Sequence, residues 1–197
     1  YRQASLPRKD GLAKDAGSEL LWRFPPRRLE AEAIRDNALL LAGALDRKMY
    51  GPGFLLFLPN SNYARNWIAK DEFEPKDMRR MVYTMRIRME QDSVFGAFDC
   101  PDGGQAAPNR SRSTTPIQAL NLYNSAFMGD LSKRFAKRIA KEVGEDPSKQ
   151  IDRAYSWTFG RSPQKEETKK TLAYLNEHGL PALCRVLLNA NEFLFMQ

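Results

Sequence analysis

The stretch NRSRSTTPIQALNLYN, from Asn109 to Asn124, decides how the rest of the chain is read. Two arginines, Arg110 and Arg112, lead into a Ser/Thr run that ends in Thr114 and Thr115. Pro116 fits the first helical position after a Thr cap, because that position has no use for an N–H and the ring already holds a helical φ. A helix start leaves backbone N–H groups unpaired and carries positive potential. Arg110, Arg112, Thr114, Thr115 and Gln118 therefore form a candidate seat for a phosphate, sulfate or carboxylate. Gln118, Asn121 and Ser125 continue a polar line at spacings of three and four. Those amides have a second reading, in which they hydrogen-bond loop backbone and pin irregular chain to the helix. On that reading the arginines and amides are mostly buried.

Downstream the pattern is helical to the end of the chain. The first helix runs to about Phe127. Leu131 to Val143 then sets Leu131, Phe135, Ile139 and Val143 opposite lysines and arginines. Gly144 to Pro147 breaks it, and Ser148 to Phe159 turns Ile151, Ala154, Tyr155 and Phe159 inward. Ser162 reads as a cap and Pro163 as the next start, with Glu166 and Glu167 near the positive end. Gly179 closes that helix, His178 is placed to meet its last carbonyls, and Pro181 opens a final helix through about Phe195. Arg185, Asn189 and Glu192 draw a polar line across this apolar last helix. Short connections favour antiparallel neighbours, as in a bundle.

Upstream the periods are less regular. Tyr1 to Ser18 reads as an extended arm with at most a short turn, and Leu20, Leu21, Trp22 and Phe24 of ELLWRF call for a packing surface. Pro26 suits the first turn of a helix to about Asp46. In it, Arg28 falls beside Glu32 and Glu32 beside Arg35, and these three with Asp36 form a candidate polar network. Its second half buries Ile34, Ala38, Leu41 and Leu45 on one face. FLLFLPNSNYARNW follows as an apolar run and a surface loop. Arg80 to Met89 alternates with period two, the template of a short strand. FGAFDC leads into the loop PDGGQAAPN, dense in Pro and Gly.

Composition bounds the function. The chain has 197 residues, 42% of them hydrophobic and 28% charged, which is ordinary for a globular protein. No apolar run approaches the roughly 18 to 20 residues of a membrane span. Between Arg110 and Lys141 stand seven cations against Asp130 alone, +6 of the net +7. The Lys133 to Lys141 face is thus a candidate nucleic-acid surface or simply a solvated one. Cys100 and Cys184 are the only cysteines and His178 the only histidine, so neither a Cys/His zinc site nor a CxxCH haem attachment can be assembled. The two cysteines are either separate buried thiols or, if the protein is exported, a disulfide from the middle of the chain to its last helix. No Walker loop, GxSxG, HExxH, dinucleotide turn or EF-hand occurs, which removes the easily recognised enzyme classes.

YRQAS, LLWRFPPRRLEAEAIRD, FDCPD, RSRSTTPIQALNLYN, GRSP and LCRVLLNANEFL, in that order, resemble the C-terminal domain of a large planctomycete family. In that family a domain of unknown function accompanies cytochrome-c-like modules in exported proteins. The resemblance implies an exported setting, periplasmic or at the cell surface, and a piece of a longer polypeptide. Any haem sits in a neighbouring domain and no cofactor in this chain. No catalytic residues carry over. Family members often have a cysteine ahead of the arginine/threonine motif, where this chain has Ala106 to Asn109, whereas Cys184 matches the last-helix pattern.

The expected fold is mainly α, a bundle-like domain with long irregular segments and at most one short strand pair. Residues 1–197 form a single domain: 1–18 an arm, 19–108 a long helix plus irregular segment, 109–197 a helical half. The expected function is a non-catalytic structural or interaction module whose partners are other domains of the same polypeptide. An anion- or acidic-polysaccharide-binding module, enzymatic or not, is the alternative. Nucleic-acid binding by the basic helix face ranks last, because no aromatics are interleaved for base stacking.

Overall fold

The computed structural model describes residues 4–58, 67–87, 90, 92, 94–101, 104 and 108–196. The loop PNSNYARN at 59–66, Arg88 and Met89 of the alternating run, and most of the DGGQAA loop lie outside the described residues.

The fold is mainly α, as the periodicity predicts, with one two-stranded antiparallel pair among the described residues. Its centre is α4, Ala126–Val143, whose inner face carries Leu131, Phe135 and Ile139 at 0% exposure. The Ser125 hydroxyl starts this helix by accepting the Met128 N–H at 3.1 Å, five residues or so ahead of the periodic run that begins at Leu131. The preceding helix, α3, is Pro116–Asn124 and stops before Phe127, because Ser125 is extended and serves as the cap of the next helix.

Around α4 pack α5, Pro147–Phe159, and α7, Leu180–Leu188, with α6, Lys165–His178, against both of these. The start of α6 departs from expectation. Gln164 is the N-cap, not Ser162, and the Glu167 carboxylate accepts its N–H at 2.7 Å. The last helix is also broken. After α7 come a one-turn helix, α8, Asn191–Leu194, and the strand β2, Phe195–Met196.

That strand explains the largest upstream difference. Arg27–Arg28 is not helical but forms β1, paired with Phe195 and Met196, and the Leu29 N–H reaches Leu194 O at 2.8 Å. Consequently α2 is only Ala31–Leu41. Ile34 and Ala38 are buried as read from the sequence and Leu39 joins them, while Leu41 and Leu45 are only partly covered. The arm also contains a short helix, α1, Lys9–Lys14, against which Trp22 packs. Gly11 makes that possible, since a Cβ there would lie 2.6 Å from the indole. Leu20 and Leu21, expected to pack, are exposed.

The middle of the chain is a layer of turns laid on α2. Arg80 to Ile87 is not a strand: Met81–Tyr83 is a 3-10 turn, and among the described residues only Thr84 of this run bridges, in parallel, to Phe54. Gly53 is required there because a Cβ would meet Tyr83 O at 2.6 Å. Phe54, Leu56 and Phe57 form a small second core against Trp67 and Tyr83.

Candidate functional site

The polar residues singled out in the sequence fall into three assemblies, each joining segments far apart in the chain. The first surrounds the approach to α3. Arg110 donates to Glu32 through both terminal nitrogens, at 2.8 and 3.0 Å, and to Glu30 at 3.0 Å. Arg112 stands 3.8 Å from Glu30. Both arginines are exposed, contrary to the expectation that they are mostly buried, because they lie along the rim of α2 instead of beneath it. They are nonetheless paired. Burial alone pushes the Glu32 carboxyl up, but the Arg110 hydrogen bond and the Arg110 and Arg86 charges outweigh it and hold it below the usual range. The same hydrogen bond raises Arg110.

One layer deeper lies Asp99, which has a left-handed φ of 58°. Its carboxylate accepts from Arg28 Nη2 at 2.5 Å, the Ser113 N–H at 2.7 Å and the Ser113 hydroxyl at 3.0 Å. Gln118 is 4% exposed, and its amide nitrogen lies 3.0 Å from Ala97 O and 3.1 Å from Ser113 O. Its side-chain oxygen faces the Thr115 N–H at 3.5 Å, the reciprocal half of a capping box. Thr114 is exposed and Asn121 half-buried. The pairs Arg28–Glu32 and Glu32–Arg35 expected from helical spacing do not form, since Arg28 is in a strand and Glu32 turns toward Arg110.

Cys100 borders this assembly. Arg86 Nη2 approaches its sulfur at 2.8 Å and Glu32 Oε1 lies 3.7 Å away. Cys184 sits inside the bundle at 0% exposure, and both thiols are free. Burial pushes Cys100 up to about 11 and Cys184 up to about 12.

The second assembly was missed by sequence reading apart from two members, Arg35 and Asp36. Arg35 is fully buried and donates to Asp77 O at 2.5 Å and Arg79 O at 2.7 Å, with the Phe54 and Phe127 rings each 5.1 Å away. Its burial lowers it to about 10. Asp36 accepts the Met81 N–H at 2.8 Å, yet burial dominates and raises its carboxyl. The Asp77 side chain, 0% exposed, meets Lys70 Nζ at 3.0 Å. Arg79 reaches the carbonyls of Pro52, Tyr50 and Lys48 at 2.5, 2.7 and 3.2 Å. Guanidinium groups here replace the ladder that a sheet would supply. The only signal in the sequence was the density of arginine around Arg79 and Arg80.

The third assembly closes the C-terminal helices. Arg161, of the GRSP turn, binds Glu167 at 2.7 and 2.8 Å and Glu192 at 2.7 Å through each of two nitrogens. Of the polar line on the last helices, Glu192 is therefore committed to Arg161. Arg185 lies 4.8 Å over the Tyr123 ring and Asn189 donates to Ala119 O at 3.3 Å, so α7 meets α3 through it. His178 does not cap a carbonyl among the described residues. It rests 4.5 Å from the Tyr174 ring while the Gly179 N–H, bonded to Leu175 O, ends the helix.

No group of three or more His, Cys, Asp or Glu side chains among the described residues is arranged to hold a metal ion. Among the described residues, no helix is long and apolar enough to cross a membrane.

A helical scaffold with arginine-stitched irregular segments is the class that this geometry defines. The chain belongs to the family PSD1, protein of unknown function (DUF1553), whose model matches residues 1–175. That span holds the first two assemblies and ends inside α6, so LCRVLLNANEFL lies beyond it. No curated protein and no solved structure matches the chain.

Proposed function

We propose that the chain is a non-catalytic structural or interaction module, a platform that other domains of a longer polypeptide dock against. The observation that carries this reading is the state of Arg110: the guanidinium that leads into the α3 start is spent on Glu30 and Glu32. A candidate anion seat is thereby neutralised by the protein's own carboxylates and ties the approach to α3 onto α2. Thiols pushed to about 11 and 12 are protonated at neutral pH, which suits packing better than nucleophilic attack. The family resemblance supports an exported planctomycete setting, with haem in a cytochrome-c-like neighbour.

The test separates a structural from a ligand-binding role for the pair. Arg110→Ala with Arg112→Ala is expected to melt a few degrees lower, since exposed pairs contribute about 0.2 to 1 kcal/mol each. Its affinity for a sulfated glycan is expected to match wild type in a salt titration. A variant that melts normally and loses glycan binding would overturn the reading in favour of an anion site at α3.

A further inference from the structure

We propose that the outward face of α4 is a docking track for a single chain of acidic polysaccharide, held by Lys133, Lys137 and Lys141. The proposal rests on the reading of the chain as an interaction module and names one partner for it. The three lysines stand at successive intervals of four residues, which places them on one side of the helix over about 12 Å. All three are exposed.

Their neighbours have been assigned other work. Arg134 is paired with Asp130 at 2.7 Å. Arg138 donates to Leu40 O and Leu41 O at 2.8 and 2.9 Å, where it closes the end of α2, and it covers the Trp157 ring at 4.2 Å. Glu142, the next carboxylate along, is held by Arg153 at 2.6 Å. No carboxylate among the described residues neutralises the three lysines. Lys133 and Lys137 also line an open groove of about 460 Å³, together with Ala136, the paired Asp130 and Arg134, and Pro181 at the start of α7. The fold thus pairs its nearby arginines within the chain and leaves a row of lysines, two of which line the groove.

The chemistry of lysine selects the partner. Exposed Lys–carboxylate pairs contribute little each, so three of them hold a folded acidic protein poorly. A linear polyanion adds the release of its condensed counterions and binds to such a row without shape matching. Single-stranded nucleic acid depends on aromatic platforms, and the Trp157 face is covered by Arg138 and Arg153. Duplex DNA, whose major groove of about 12 Å admits a helix, is the competing occupant that the experiment tests against. One strand of sugars bearing sulfate or carboxylate matches the charge row.

The experiment measures binding of the full chain to heparin fragments, polygalacturonate, uncharged dextran and duplex DNA as salt is raised. Binding to at least one acidic glycan and not to dextran is expected, with log affinity falling against log salt at a slope of about −2, as for three single-strand contacts. Heparin without polygalacturonate marks the sulfate as the recognised group, and the reverse marks the carboxylate. Lys133→Gln, Lys137→Gln and Lys141→Gln together are expected to weaken binding by about tenfold or more, with the melting midpoint unchanged. Absence of binding to both acidic glycans at low salt overturns the proposal. So does a triple variant that binds like wild type, or duplex DNA held more tightly than either glycan. None of these outcomes touches the Arg110/Arg112 melting test, so the two proposals fail separately.

Discussion

Arg35 shows how much one side chain does in this fold. It is a guanidinium at 0% exposure whose hydrogen bonds go to main-chain carbonyls and whose faces are covered by Phe54 and Phe127. A charge buried this deeply is tolerated because its donors are matched to fixed acceptors and Asp36 stands 3.6 Å away. Arg35→Met keeps much of the apolar stem but strands the carbonyls of Asp77 and Arg79, along with the Asp36 charge. We expect a loss of about 3 to 5 kcal/mol in urea unfolding. Arg35→Lys is expected to recover little, since a point-charge ammonium cannot serve two carbonyls in a fork. A loss below about 1 kcal/mol for Arg35→Met would show that the layer on α2 is held by its apolar contacts alone.

At the scale of elements, the joints between helices are made by arginine, and Arg161 makes the clearest one. It binds Glu167 at the start of α6 and Glu192 on α8. The Arg161 hydrogen bond, helped by the Gln164 N–H, lowers the Glu167 carboxyl from 4.5 to about 2. A carboxylate depressed in the folded state stabilises the fold above its unfolded value and loses that contribution as pH falls through its folded one. The contribution is therefore complete above about 4.5 and lost toward 2. Arg161→Gln is expected to melt below wild type at neutral pH, with the gap closing across that acid window. A gap that stays constant as the pH is lowered would assign the effect to packing on Tyr155 and Phe159 instead. These joints also mark where sequence reading stops. The Thr115–Pro116 start of α3 and the apolar face of α4 were legible because the residues that define them are neighbours along the chain. Arg161 was not, because Glu192 lies 31 residues away. The partners of Arg35 are 42 and 44 residues distant. The alternation of Arg80 to Met89 misled for a related reason: a period of two describes a strand only when a partner strand runs alongside, and over the described part, Arg80 to Ile87, the ladder is a single bridge from Thr84 to Phe54.

For the molecule as a whole, this division predicts two levels of stability. The helical half shares one core in which Leu131, Phe135, Ile139, Ile151 and Ala154 are all at 0% exposure. The turn layer of residues 46–58 and 67–87 holds to it through α2, isolated bridges, guanidinium–carbonyl bonds and the cluster of Phe54, Leu56 and Phe57. Regions with fewer buried apolar contacts open locally at lower free energy than the core. Native-state hydrogen exchange is therefore expected to show the amides of Phe54, Leu58, Lys70 and Met85 exchanging through local opening, faster than those of Ile139 and Ile151. The first four are all donors in the long-range backbone bonds of the layer, so exposure of a surface loop does not account for their exchange. Arg35→Met, studied below its own unfolding transition, should accelerate the four further while Ile139 and Ile151 change only by the loss in global stability. Equal protection across both sets would mean that the turn layer and the helices unfold as one unit, and that the arginine bonds fasten it as firmly as the apolar core binds the helices.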